Sequence, residues 1–254
     1  MKRAGTDGSG FGAATLDGVR RGVGTAPRRW LIAVTLLVGV LAAMGLTAAV
    51  PPDELTFAAL AEPVQALMSV AVPFLGTLLA HDLRRQPGTV RLGPTVLAAT
   101  LLAAAVGLIG VVACAAALTL APDGVAPGAW RHAGTIVAGS VLVQVVAQLV
   151  GIGLGLLLGS FVVAALASIV LPLGLYGLLG AADSLRPARA WLTPYATLQN
   201  LLSGETDAVH WAQWVVVLLI WGFGLIAVGA ARLRRRPATA AVPAPSSVSW
   251  ESRH

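Results

Sequence analysis

Ser140, Gln144, Gln148, Gly151, Gly155 and Gly159 interrupt an otherwise apolar stretch at intervals of 4, 4, 3, 4 and 4 residues. At about 100° per residue, all six fall within an arc of about 100° on a helix. Buried amides and hydroxyls hydrogen-bond across helices, and small residues let two backbones close up. The stripe therefore fits either a helix–helix seam or the lining of a pathway. A second cluster, His81, Asp82, Leu83, Arg84, Arg85 and Gln86, opens the segment "HDLRRQPGTVR" between two long apolar runs. About one and a half helical turns are expected there before Pro87–Gly88 ends them. Its arginines suit either a charged anchor that orients the chain or a short coupling helix gripped by another subunit.

Other chemistry is excluded by residue type. A phosphate-binding P-loop needs a lysine at the β/γ-phosphates, and the only lysine is Lys2. The four histidines, His81, His132, His210 and His254, are scattered and form no H-E-x-x-H motif. Ser140 and Ser168 are the candidate serines, but no histidine lies inside a span, which speaks against a serine hydrolase. Cys114 is alone, so neither an intramolecular disulfide nor a cysteine metal cluster is available. Ion-coupled carriers place acids inside spans as relays. Here every acid lies in a loop or at a span end, with Glu62 nearest to hydrocarbon. No enzymatic activity and no cofactor bound by this chain are expected.

The elements that carry these residues are membrane spans. The 254 residues are 57% hydrophobic and 11% charged, against about 25% charged in a soluble domain. Five stretches are long enough to cross a hydrocarbon core of about 30 Å: Trp30–Val50, Pro94–Ala121, Ala133–Gly159, Phe161–Gly180 and Trp214–Ala231. A sixth, Pro63–Ala80, is just long enough and contains Pro73, as the fifth span contains Pro172; both prolines are expected to kink their helices. The expected fold is all-α and polytopic, with six spans over 30–231. The first span exceeds the usual 7–15-residue signal core, although "LTAAVPP" after it offers a weak cleavage site.

The positive charge is distributed as the positive-inside rule requires. With the amino terminus inside, Lys2, Arg3, Arg20, Arg21, Arg28, Arg29, Arg84, Arg85, Arg91, Arg232, Arg234, Arg235, Arg236 and Arg253 all become cytoplasmic. Only Arg131, Arg186 and Arg189 are left outside. Both termini are thus expected in the cytoplasm, and the charge is explained by lipid orientation without a nucleic-acid partner.

Residues 1–29 form a Gly-rich segment in which Leu16, Val19 and Val23 fall at helical spacing. An interfacial helix fits, and so does an unstructured tail, since Gly18, Gly22 and Gly24 disfavour helix. Residues 232–254 read as a disordered, Pro/Ala/Ser-rich tail. Before the last span, "WLTPYATLQNLLSG" carries Trp191, Pro194, Tyr195 and Leu198 on a partly apolar face. It suits a segment at or dipping into the membrane interface, or an ordinary outer loop.

Six spans, a cytoplasmic amino-terminal segment, a basic loop after span two, a tight turn at Gly159–Ser160 and the amphipathic segment before the last span make this chain resemble an ABC-2-type transporter permease. The likeness runs from about Thr15 to Arg236. The family's first loop commonly has an acid near a Gly-Thr pair; here Gly88-Thr89 is preceded by Asp82 and two arginines. The resemblance implies the membrane subunit of an ATP-driven exporter in the cell membrane. It implies pairing with a second permease copy, contact with membrane lipids, and a separate ATPase subunit that holds ATP and Mg and docks at His81–Gln86. A secondary transporter and a non-transporting scaffold or immunity-type protein are the other classes that this hydropathy permits.

Overall fold

The computed structural model describes residues 7–85, 91–122, 124–204 and 206–235. The protein is all-α, with no strand among the described residues and six helices long and apolar enough to cross a membrane. A shorter helix, α1 (Asp7–Gly24), precedes the first span. The first five spans are α2 (Ala26–Ala49), α3 (Phe57–Arg85), α4 (Leu92–Thr119), α5 (Ala133–Leu157) and α6 (Phe161–Ala181). Two short helices follow, α7 (Arg186–Leu192) and α8 (Pro194–Leu202). The sixth span, Ala208–Arg234, comprises α9 (Ala208–Val217), a π-helical stretch (Leu218–Gly224) and α10 (Leu225–Arg234).

Span boundaries differ from those read in the sequence where local contacts extend a helix. The second span runs for 29 residues and keeps both Pro63 and Pro73 inside it. In hydrocarbon a broken backbone has no water to bond to, so a continuous helix is the favoured solution even around proline. Its early start is held by a lacing of two loops on one face: Phe57 N–H donates to Ala129 O (2.9 Å) and Ala126 N–H to Leu55 O (3.1 Å). The Phe57 ring also stacks on Trp130 at 5.4 Å. The last span starts at Ala208 instead of Trp214, because Asp207 caps it. Asp207 Oδ1 accepts the His210 N–H (2.8 Å), and His210 Nδ1 accepts the Asp207 N–H (3.4 Å). Helix also continues past Ala231 to Arg234, into the segment read as a tail, whose residues 236–254 lie outside the described residues.

The helix α5 is the centre of the bundle: 72% of its most apolar window is buried, against 17% for α2 and for α6. Glycines and other small residues mark its crossings. Gly151 lies against the backbone of Pro73, Gly155 against Thr77 and Ala80, and Gly153 against Leu225. Facing it, Gly76 of α3 meets the backbone of Gln148 and Ile152, and Gly107 of α4 meets Ser140 and Val141. Lipid tails are as apolar as leucine, so helices associate here through close packing and polar contacts, and small residues permit both.

Within the amino-terminal segment, Asp7–Gly24 is helical, and its glycines are the reason it docks. Gly18 rests on Pro94, Thr95 and Ala98, Gly22 faces Leu102, and Phe11 touches Gly93. Thr15, Gly18 and Gly22 are buried while Leu16 and Val23 are exposed. The expected apolar face is thus turned away from the bundle, and the glycine face is the one that packs.

Candidate functional site

Most of the intramembrane stripe lies on one seam. Ser140, Gln144 and Gln148 are fully buried on α5. Gln144 Nε2 donates to Gln65 Oε1 (2.8 Å) and to Gln65 O (3.0 Å), and Gln65 Nε2 donates onward to Gly107 O (3.1 Å). One amide chain thus ties α5, α3 and α4 together. Ser140 Oγ, Gln144 Oε1 and both amide atoms of Gln148 have no partner among the described residues. Gly151 and Gly155 continue the seam against α3. Gly159 leaves it: α5 ends at Leu157, and Gly159 sits in the turn to α6, beside the Arg84 guanidinium.

The basic cluster is built differently from the expected short helix. His81, Asp82, Leu83, Arg84 and Arg85 form the last turns of α3 itself, and Gln86 lies outside the described residues. Most of these side chains face this chain. Leu83 is buried. Asp82 accepts from Arg28 Nη2 at 2.8 Å, and buried Arg28 also donates to Arg21 O (2.7 Å) and Leu78 O (3.4 Å). Arg84 Nη1 lies 3.3–3.4 Å from the carbonyls of Gly155, Leu156 and Leu158, covering the carboxyl end of α5. From the last span, Arg232 Nη1 donates to Leu157 O (3.2 Å). Cations there satisfy orphan carbonyls and oppose the negative end of the helix dipole. Arg85 is exposed and His81 half-buried. Arg28, Asp82, Arg84 and Arg232 thus share one face, here called the basic face.

At the other end, α7 and α8 form a helical hairpin between α6 and the last span. Its tip is Leu192–Thr193, where the chain leaves helix before Pro194, as the restriction on a residue before proline predicts. Leu192 O accepts the Trp221 Nε1 proton (2.8 Å). Trp221 lies 13 residues past the start of α9, about 20 Å along the span, so the hairpin dips well into the bundle. Leu198 is buried, Pro194 and Tyr195 are half-buried, and Trp191 is exposed. The Tyr195 ring meets Tyr176 of α6 edge-on at 4.7 Å, and Arg189 lies over Tyr176 at 4.1 Å.

Beneath this hairpin lies a cavity of about 570 Å³ between α3, α5, α6, α8 and α9. Its walls are mostly apolar and include Ser69 and Pro73 on α3 and Ser168 and Pro172 on α6. A proline removes the amide that would bond the carbonyl four residues earlier, so each serine's carbonyl loses its helical partner. Trp214 lines the same space, and its Nε1 has no acceptor among the described residues. Glu62 and Tyr195 also line it. Apolar walls with a few placed polar groups are the usual make-up of a small-molecule site.

The stripe and the hairpin residues were readable in the sequence; the cavity was not. One signal was available: Ser-x-x-x-Pro occurs in both the second and fifth spans, at Ser69–Pro73 and Ser168–Pro172. Gln65, the partner of Gln144, offered only its polarity inside a span. No family model matches this chain, and no curated protein matches it significantly.

Proposed function

We propose that this chain is the membrane-spanning subunit of an ATP-driven exporter in the cell membrane, with both termini cytoplasmic and a separate ATPase subunit docking on the basic face. One observation carries the reading. The end of α3 and the end of the last span both grip the carboxyl end of α5 through Arg84 and Arg232. Force applied at the basic face therefore reaches the central helix directly, and that helix forms a wall of the cavity at Val146 and Val150. With Lys2 as its only lysine the chain carries no P-loop motif, which agrees with a division of labour between permease and ATPase. The cavity's make-up favours an amphipathic cargo, and a second permease copy completes the assembly as the family resemblance implies.

Purification of the tagged full chain in mild detergent tests this, with identification of stoichiometric partners. A nucleotide-hydrolysing subunit is expected to co-purify and to be lost on Arg85→Glu, which changes an exposed side chain and leaves the Arg84 contacts intact. A stable preparation without such a subunit overturns the proposal. Glu62 at the cavity favours a second reading, a proton-coupled carrier. Transport in reconstituted vesicles that persists without ATP and stops with a protonophore would establish it instead.

A further inference from the structure

Between α1 and the adjoining ends of α2, α3 and α4 lies a second cleft, of about 730 Å³, lined by Arg20, Arg21, Arg28, Arg91, Asp17 and Asp82 among others. We infer that this cleft binds the phosphate of an acidic phospholipid. Its own acids do not neutralise it. Asp82 is committed to Arg28 at 2.8 Å, and Asp17 reaches Arg20 only at 3.9 Å, both side chains being exposed. Arg91 makes no ion pair or side-chain hydrogen bond among the described residues, and Arg21 donates only its Nε, to Asp17 O. Two positive charges are left over on guanidinium groups, whose planar donor forks match phosphate oxygens.

The surroundings choose a lipid over a phosphate ion in solution. Because Gly18 and Gly22 dock α1 on α4, the helix turns Phe11, Leu16 and Val23 outward, 45%, 63% and 37% exposed. Trp30, just beyond the cleft on α2, is 71% exposed. Apolar side chains beside a basic cleft, with a tryptophan at the same end, mark the boundary between acyl chains and headgroups. The site does not depend on the exporter reading, since a carrier or a scaffold would hold the lipid equally well.

The test is native mass spectrometry of the full chain, titrated with dioleoyl phosphatidylglycerol or dioleoyl phosphatidylcholine. The wild type should retain phosphatidylglycerol preferentially. A basic residue near the surface is worth roughly fivefold in affinity for acidic lipid. Arg21→Gln with Arg91→Gln should therefore cut that preference by roughly twenty-five-fold, treating the two as independent. Arg234→Gln with Arg235→Gln removes the same charge from exposed positions at the same face and should leave the preference intact. Buried Arg28 is left untouched, so the variants keep the fold. Equal loss in both double variants would mean diffuse attraction and overturn the site. An unchanged preference in the Arg21/Arg91 variant overturns it too. Displacement of the lipid by millimolar inorganic phosphate would reassign the cleft to the soluble ion.

Discussion

The helices α5 and α6 follow one another across a three-residue turn and are close in length and hydropathy, yet one is the core and the other faces outward. The difference lies in what α5 carries besides apolar residues. Its glycines stand against backbone: Gly151 on Pro73, Gly153 on Leu225 and Gly155 on Thr77. A Cβ added at Gly174 or Gly177 of α6 meets nothing. Gln144 hydrogen-bonds to a neighbouring helix, whereas Ser168 Oγ on α6 turns back to its own Ala165 O. In lipid, hydropathy selects what enters the membrane, and residue size with polar pairing selects what is surrounded by protein.

The largest expected effect that sharpens this comparison is at the closest crossing. Gly151→Leu forces a side chain into the Pro73 backbone, and overpacking of this kind costs about 1–3 kcal/mol or more even for a methyl-sized excess. The variant should lose its monodisperse peak in size-exclusion chromatography, while Gly174→Leu keeps it. An intact Gly151→Leu protein would break the comparison.

Next in size is the covered end of α5. Arg84→Gln removes charge-assisted hydrogen bonds to three carbonyls, a loss of about 1–2 kcal/mol once partial exposure is allowed for. A thermal melt in detergent should show a clear drop, absent in Arg235→Gln. The polar pair comes third. A double-mutant cycle with Gln65→Leu and Gln144→Leu should give a coupling of about 0.6–1.7 kcal/mol, the range for such bonds in membranes. Gln148→Leu should leave stability unchanged or raise it, since neither amide atom has a partner among the described residues and an orphaned buried amide is itself destabilising. If transport falls while stability holds, the upper stripe serves a pathway as well as a seam.

The smallest effect concerns pH. The His210 N–H bonded to Asp207 chiefly holds that carboxyl below its usual value. A depressed carboxyl stabilises the helix start above the ordinary carboxylate pKa of about 4, and this is lost as pH falls through the lowered value. Circular dichroism below roughly pH 4 should therefore show fraying at the start of α9 that Asp207→Asn lacks.

Several features were legible because they are periodic or local. The stripe from Ser140 to Gly155 could be placed on one helical face by spacing alone, and Pro194 marked the break in the hairpin. The docking of α1 was not legible: glycine lowers helix propensity in isolation, while Gly18 and Gly22 gain close approach to α4 that no local rule contains. The bonds Arg28–Asp82, Gln65–Gln144 and Arg84 to α5 join residues more than fifty positions apart, and charge or polarity alone names no partner.

By itself, the sequence determined six apolar helices and the clustering of arginine at alternate span ends, because a bilayer demands internally bonded backbone and taxes charge at its centre. Only the tertiary structure decided that α5 is the core, that Arg84 covers its end, and that the helices part to leave a cavity beside Pro73 and Pro172. Lipid and helix are equally apolar surroundings, so the choice between them rests on shape and hydrogen-bond partners, which exist only once the helices have met.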